Sequence, residues 1–235
     1  MSRAGILSRR SADQAILAGE ISVNGSLIST PGTEVDPDRD VVEYKGKKIE
    51  CNFNHFVYYA VYKPKGIIST AKDELGRKTV VDFVPIEPKV YPVGRLDVDS
   101  EGLMILTNDG DLTQKLTHPS FEHTKEYEIE CRTDSKDYMA QGKFEEYLKD
   151  KFENGLMIED KLTKADMVTL IREGKANFAM RVVLHTGYNR QIRKMCAKIG
   201  LHVIRLTRIR IGKLVLAGLN LSPGQYKKIT ASEIL

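Results

Sequence analysis

Tyr91 to Asp111 reads YPVGRLDVDSEGLMILTNDGD, and the order of its polar and apolar residues governs how the surrounding chain is read. Gly94-Arg95-Leu96 leads into Asp97. A turn follows through Asp99, Ser100 and Gly102, then an apolar run from Leu103 to Leu106, then a tight Asn108-Asp109-Gly110 turn. This pattern holds a carboxylate at a strand–loop junction, with an arginine two residues away. It suits a nucleophile whose charge must be kept with little water around it. An aspartate that only caps a turn has the same local spacing, and short motifs often match by chance.

Working outward, a chain of 235 residues with 41% hydrophobic content can bury one good core and a small satellite domain. No apolar run approaches the ~18 residues of a membrane-spanning helix. The opening MSRAGILSRRSADQ carries charges where a secretory signal needs an apolar stretch, so a cytoplasmic location is expected. Cys51, Cys131 and Cys196 are far apart and form no Cys-x-x-Cys pair, which argues against a zinc site or a disulfide framework. The five histidines lack ligand spacing as well. Net charge is only +4, yet Gly174 to Ser232 holds twelve Lys or Arg and no Asp or Glu, with Tyr188 and Tyr226 interspersed. A basic, acid-free stretch of this length predicts a surface that attracts a polyanion.

The chain divides at about residue 50. In residues 1–48, Ser8 can cap a helix from Arg9 to Ala18, with Ala12, Ala15 and Ile16 on one face and Gly19 as its stop. Ile21-Ser22-Val23 reads as a strand and Asn24-Gly25 as a hairpin turn. Val35, Val41 and Val42 supply later strands around Asp36-Pro37-Asp38. Lys45 to Asn54 reads as a linker, and the large domain spans 55–235. There, Phe56–Tyr62, Lys125–Glu130, Phe178–Leu184 and Val203–Ile211 are expected strands. Asp111–Thr117, 136–153 and Arg190–Ile199 are expected helices. Arg208 and Arg210 alternate onto one face, while Arg190, Lys194 and Lys198 point away from the apolar side of their helix. Without regular βαβ alternation the fold class is α+β.

The Gly94–Asp97 segment resembles the catalytic signature of the bacterial ribosomal pseudouridine synthases, a family with a small-subunit uridine enzyme and large-subunit relatives. Three further stretches carry the resemblance: Lys63-Pro64-Lys65-Gly66, Lys125-Glu126-Tyr127, and Gly187-Tyr188-Asn189-Arg190-Gln191-Ile192-Arg193. SRRSADQAILAGEISVNG, residues 8–25, is similar to the alpha-L RNA-binding module first seen in a ribosomal small-subunit protein. That module normally opens with more helix than Met1 and Ser2 leave room for, so either a short first helix or a truncated start is expected. The resemblance implies a mixed, mainly antiparallel sheet with flanking helices.

It also implies an isomerase that needs no cofactor and no metal. The reaction breaks the bond from ribose to the base nitrogen, rotates the base, and rejoins it through carbon. Asp97 becomes the nucleophile, attacking either the uracil ring or the anomeric carbon. Arg193 pairs with it, since an opposite charge within a few ångströms lowers a carboxylate pKa by about 1–3 units. Tyr127 stacks on the uracil. Arg9 and Arg10 lie on the RNA-facing helix. Lys63 and Lys65 either contact phosphate or merely flank a turn that needs proline and glycine. Arg95 either holds the flipped nucleotide's gap open or partners a carboxylate such as Asp99, and Leu206 belongs to the pocket wall or the core. Arg190, Lys194, Arg208 and Arg210 join the phosphate-binding set. The expected partner is a stem-loop of ribosomal RNA, large-subunit favoured from the Asn-Arg-Gln-Ile-Arg spelling, met by a monomer acting on free RNA or on an assembling subunit. Small-subunit RNA, transfer RNA, and a non-catalytic RNA-binding assembly factor are the competing expectations.

Overall fold

The computed structural model describes residues 1, 4–50, 56–121, 123–133, 143–174 and 177–235. Expectations touching Arg3, residues 51–55, Glu122, 136–142 and Lys175 lie outside the described residues.

In the N-terminal module, α1 (Arg9–Leu17) begins where the Ser8 hydroxyl accepts a hydrogen bond from Ser11 N at 3.1 Å. Gly19, at φ 68°, ends it. Ala15 and Ile16 pack against Ile21, Val42 and Ile49. β1 (Ile21–Val23) and β2 (Ser26–Leu27) meet through Asn24 and Gly25, both at positive φ. Two positive angles in a two-residue loop match the right-handed twist of the paired strands. β3 (Val42–Tyr44) and β4 (Lys47–Lys48) repeat the device with Lys45 and Gly46. The sheet order is β2-β1-β3-β4. Two expectations are corrected here. Val35 joins no strand, and Lys45–Lys48 is a hairpin of this sheet rather than a linker, because its turn residues pair it back onto β3.

The large domain is built on one sheet. Its elements run β5 (Tyr58–Lys63), β6 (Tyr91–Pro92), β7 (Glu101–Thr107), α2 (Gly110–Thr117), β8 (Lys125–Thr133) and α3 (Phe144–Asn154). The hairpin β9 (Leu156–Ile158) and β10 (Lys161–Thr163) follows, then β11 (Met167–Glu173), β12 (Asn177–Leu184) and α4 (Gln191–Lys198). The chain continues through β13 (Leu201–Ile211), β14 (Leu214–Val215), β15 (Tyr226–Ile229) and α5 (Ala231–Ile234). The main path is β11-β12-β8-β13-β7-β5-β15, with β14 on β13 and β6 on β7. The β13–β7 pairing is parallel and the other pairings are antiparallel. The architecture is α+β.

The run Leu103–Leu106 is continuous rather than alternating because β7 is covered on both faces. Met104 and Leu106 enter one apolar cluster with Tyr127, Ile129, Leu148, Phe152, Ile192 and Met195. Leu103 and Ile105 enter a second cluster with Leu112, Leu116, Ile211 and Ile234. Both thus sit on the central strand that leaves Asp97. In α3, Phe144, Leu148 and Phe152 recur every fourth residue and are buried. Cys131 and Cys196, distant in sequence, sit side by side in the first cluster, and their hydrogen bond together with burial pushes the Cys196 thiol up.

One expected shared face is not formed. The register of β13 against β8 shifts between Arg208 and Arg210, so Arg208 lies opposite Tyr127 while Arg210 lies opposite Glu126. A bulge inserts one residue and turns the next side chain to the other surface. Arg208 is buried on the side of Tyr127, and Arg210 pairs with Glu126 at 2.8 Å.

Candidate active site

Asp97 sits in the loop between β6 and β7, whose turn is closed by Ser100 N donating to Asp97 O at 3.1 Å. Three tethers from the Lys63–Ser69 segment grip this loop on either side of Asp97. Ser69 Oγ donates to Leu96 O at 2.6 Å and accepts from Leu96 N at 3.1 Å. Gly66 N donates to Val98 O at 2.6 Å. Lys63 Nζ donates to Ser100 O at 2.6 Å and to Pro64 O at 3.0 Å. Lys63 is fully buried, so the phosphate contact expected of it is corrected: its ammonium braces the loop from beneath. Burial, then the Arg208 charge, pulls its pKa down to about 8, while Asp97 acts to raise it.

The loop opens onto a cavity of about 450 Å³ whose lining includes Asp97, Tyr127, Arg190, Arg193, Leu206 and Arg208. Tyr127 reaches it from β8 and is almost fully buried. Leu206 reaches it from β13, where it also belongs to the core cluster. Lys125, on the same face of β8 as Tyr127, lines it too, and burial with the nearby Arg208 lowers its pKa. Lys125 was legible as a lining residue from the two-residue alternation of Lys125-Glu126-Tyr127.

The arginines are shared differently from the expected pairing. Arg193 Nη2 donates to Asp99 O at 2.8 Å and to Ser100 Oγ at 3.1 Å, and its Nε lies 3.4 Å from Asp99 Oδ2. Arg190 donates twice to the Asp99 carboxylate, at 3.1 and 2.9 Å, and its Nη1 also lies 3.6 Å from Asp97 Oδ2. The positive group beside Asp97 is therefore Arg190, and Arg193 is held by Asp99. Arg190 caps α4 in the left-handed region, at φ 51°. A non-glycine residue rarely sits there, and such outliers cluster at functional sites.

The remaining expected cations separate into three groups. Arg9, Arg10, Lys65 and Arg95 are exposed. Arg95 is not the partner of Asp99, which Arg190 and Arg193 hold. Lys194 pairs with Glu159 at 2.8 Å, and Arg210 with Glu126. Arg208 is buried, with Nε donating to Leu103 O at 2.8 Å and Nη2 without a hydrogen-bond partner among the described residues. It is a floor residue of the cavity, not a surface phosphate contact. The acid-free stretch also proves less bare than its sequence: Arg181 and Arg205 meet Glu128 and Glu101 from other strands. Among the described residues, no cluster of three His, Cys, Asp or Glu can hold a metal ion.

Residues 57–198 match the RNA pseudouridylate synthase family, and residues 1–41 match the S4 domain. The chain belongs to the RNA pseudouridylate synthase family. It is 37% identical to the ribosomal large subunit pseudouridine synthase B of Bacillus subtilis, over all of this chain and 91% of that protein. It is 38% identical to an uncharacterized RNA pseudouridine synthase of Rickettsia conorii, over 97% of this chain and 94% of that one. A crystal structure of a pseudouridylate synthase superposes with a TM-score of 0.61 at 25% identity, covering 97% of this chain and 93% of that one. The synthase is thus an isomerase that turns uridine in RNA into pseudouridine. No helix among its described residues is long and apolar enough to cross a membrane.

Proposed function

We propose that this synthase modifies a uridine in a structured stem-loop of ribosomal RNA, with large-subunit RNA as its substrate, and that Asp97 is its nucleophile. The observation that carries the reading is the placement of Asp97: one loop carboxylate, braced on both sides, facing Tyr127 across a cavity of about 450 Å³ with Arg190 at 3.6 Å. The large-subunit preference is supported by the name of the Bacillus subtilis relative. The division of labour is residues 1–48 for docking and 55–235 for chemistry, in a cytoplasmic monomer that meets free RNA or an assembling subunit.

The chemistry follows from these groups. The flipped uridine enters the cavity at a cost of a few kcal/mol of lost stacking, less from a loop. The Tyr127 ring packs on the uracil. Asp97 attacks as the bond from ribose to N1 breaks, and the electron pair of that bond leaves with the base. The base rotates and C5 bonds to the anomeric carbon as the Asp97 carboxylate leaves it with the electron pair of their bond. The C5 proton then leaves, with the Tyr127 hydroxyl in reach, while N1 ends protonated. Arg190 sets a positive charge beside Asp97, and Arg193 braces the turn through Asp99 and Ser100. Arg9, Arg10, Lys65 and Arg95 contact phosphates.

Incubation with transcripts of large-subunit, small-subunit and transfer RNA, followed by pseudouridine mapping, tests the assignment. One new pseudouridine in a large-subunit stem-loop is the expected result. Modification confined to either other RNA overturns the substrate.

A further inference from the structure

We infer that Asp99 is a positioning residue that divides the two active-site arginines, so that Asp97 keeps a positive charge beside it without being gripped by both arms of a guanidinium. The inference rests on Asp97 being the nucleophile.

Asp97 and Asp99 share one turn, yet they receive the guanidinium groups unequally. Asp99 takes both ends of Arg190, at 3.1 and 2.9 Å, and has Arg193 Nε at 3.4 Å. Its backbone oxygen takes a further bond from Arg193 Nη2 at 2.8 Å. Among the described residues, the Asp97 carboxylate has one ion-pair contact, Arg190 Nη1 at 3.6 Å, too long for a good hydrogen bond. One nitrogen thus lies between two carboxylates and bonds to the wrong one for a simple nucleophile–arginine pair.

That sharing resolves two opposing demands. A partly buried carboxylate with no cation nearby has its charged form disfavoured. A carboxylate gripped by both arms of a guanidinium has its lone pairs engaged and attacks poorly, since bidentate pairs are among the strongest hydrogen bonds. Asp99 satisfies both demands by occupying the fork itself. Its hydrogen bond with Arg190 holds its own carboxyl below the usual range, so it stays charged at neutral pH.

Removing the Asp99 charge leaves Asp97 as the nearest carboxylate to Arg190, and the fork closes on the nucleophile. In Asp99→Asn, turnover at saturating RNA should fall on the order of a hundredfold, while KM changes less than about threefold. Adding Arg190→Gln to that variant should restore turnover by tenfold or more, since Arg193 remains near the loop. A brace without this role gives the opposite sign: the second substitution leaves turnover unchanged or lower. Such non-additivity is diagnostic for residues in one network. Should Asp99→Asn not fold, carboxyl-carbon NMR of wild type and Arg190→Gln decides the matter. Loss of Arg190 should raise the titration of Asp99, and an unmoved Asp99 overturns the inference. Asp97→Asn run alongside separates the two readings, because its full activity removes the nucleophile without bearing on how Arg190 is shared.

Discussion

A Cβ placed on Gly102 would lie 2.3 Å from the carbonyl oxygen of Arg208 and 2.5 Å from its nitrogen. This is where β7 and β13 begin their parallel pairing, with Arg208 opposite Gly102. Gly102 also sits at φ 112°, where L side chains rarely go. Gly102→Ala should therefore destabilise the protein by about 3 kcal/mol or more, through forced backbone movement and strain. Denaturant unfolding checks it. A loss under about 1 kcal/mol contradicts the close approach.

Lys63→Met separates a brace from a phosphate contact. The substitution leaves the Ser100 and Pro64 carbonyls without their donor, at a cost of about 1–3 kcal/mol. The salt dependence of RNA binding should not change, because this ammonium reaches no phosphate. The pH dependence has a definite sign. With a folded pKa of about 8 against 10.5, the unfolded chain binds more protons between those values. Wild type should thus gain stability relative to Lys63→Met as pH rises from 8 to 10. A constant difference across that range contradicts it.

Electrostatic docking predicts a second contrast. Lys65→Ala and Arg95→Ala, at exposed positions, should each reduce the slope of log affinity against log salt by about 1. Arg210→Gln should leave that slope unchanged, because Arg210 is committed to Glu126, Thr124 and Gly212 within the sheet. Equal effects from all three would show that the ion pairs on this face open when RNA binds.

Tyr127→Phe keeps the ring and removes the hydroxyl. Uridine entry should survive, while turnover falls about a hundredfold, the usual scale for a proton-transfer group. Unchanged turnover measured by tritium release leaves Tyr127 only its stacking role.

The sequence exposes what depends on neighbours along the chain. Asn24-Gly25 names its hairpin and Ser8 its cap, and Leu103–Leu106 stands out as the apolar run that becomes the core of β7. The catalytic signature places Asp97 at the mouth of that strand. What it hides depends on geometry between distant segments. A single bulge sends Arg208 inward and Arg210 to Glu126, although alternation puts them together. The stretch 174–232 contains no acid, yet Arg181, Arg205 and Arg210 find Glu128, Glu101 and Glu126 across strands. Arg190, not Arg193, lies beside Asp97, and Arg193 reaches Asp99 across a separation of more than ninety residues. A Lys-Pro turn gives no sign that its lysine is buried until the catalytic loop is seen lying over it.

The central claim is that the Asp97 carboxylate forms the covalent bond on which the isomerisation turns. Tritium release from RNA labelled at uracil C5 measures it directly, in wild type and in Asp97→Asn, with RNA affinity measured on the same samples. Release should be lost in the variant, down to the no-enzyme background, at unchanged affinity. Release at the wild-type rate contradicts the account.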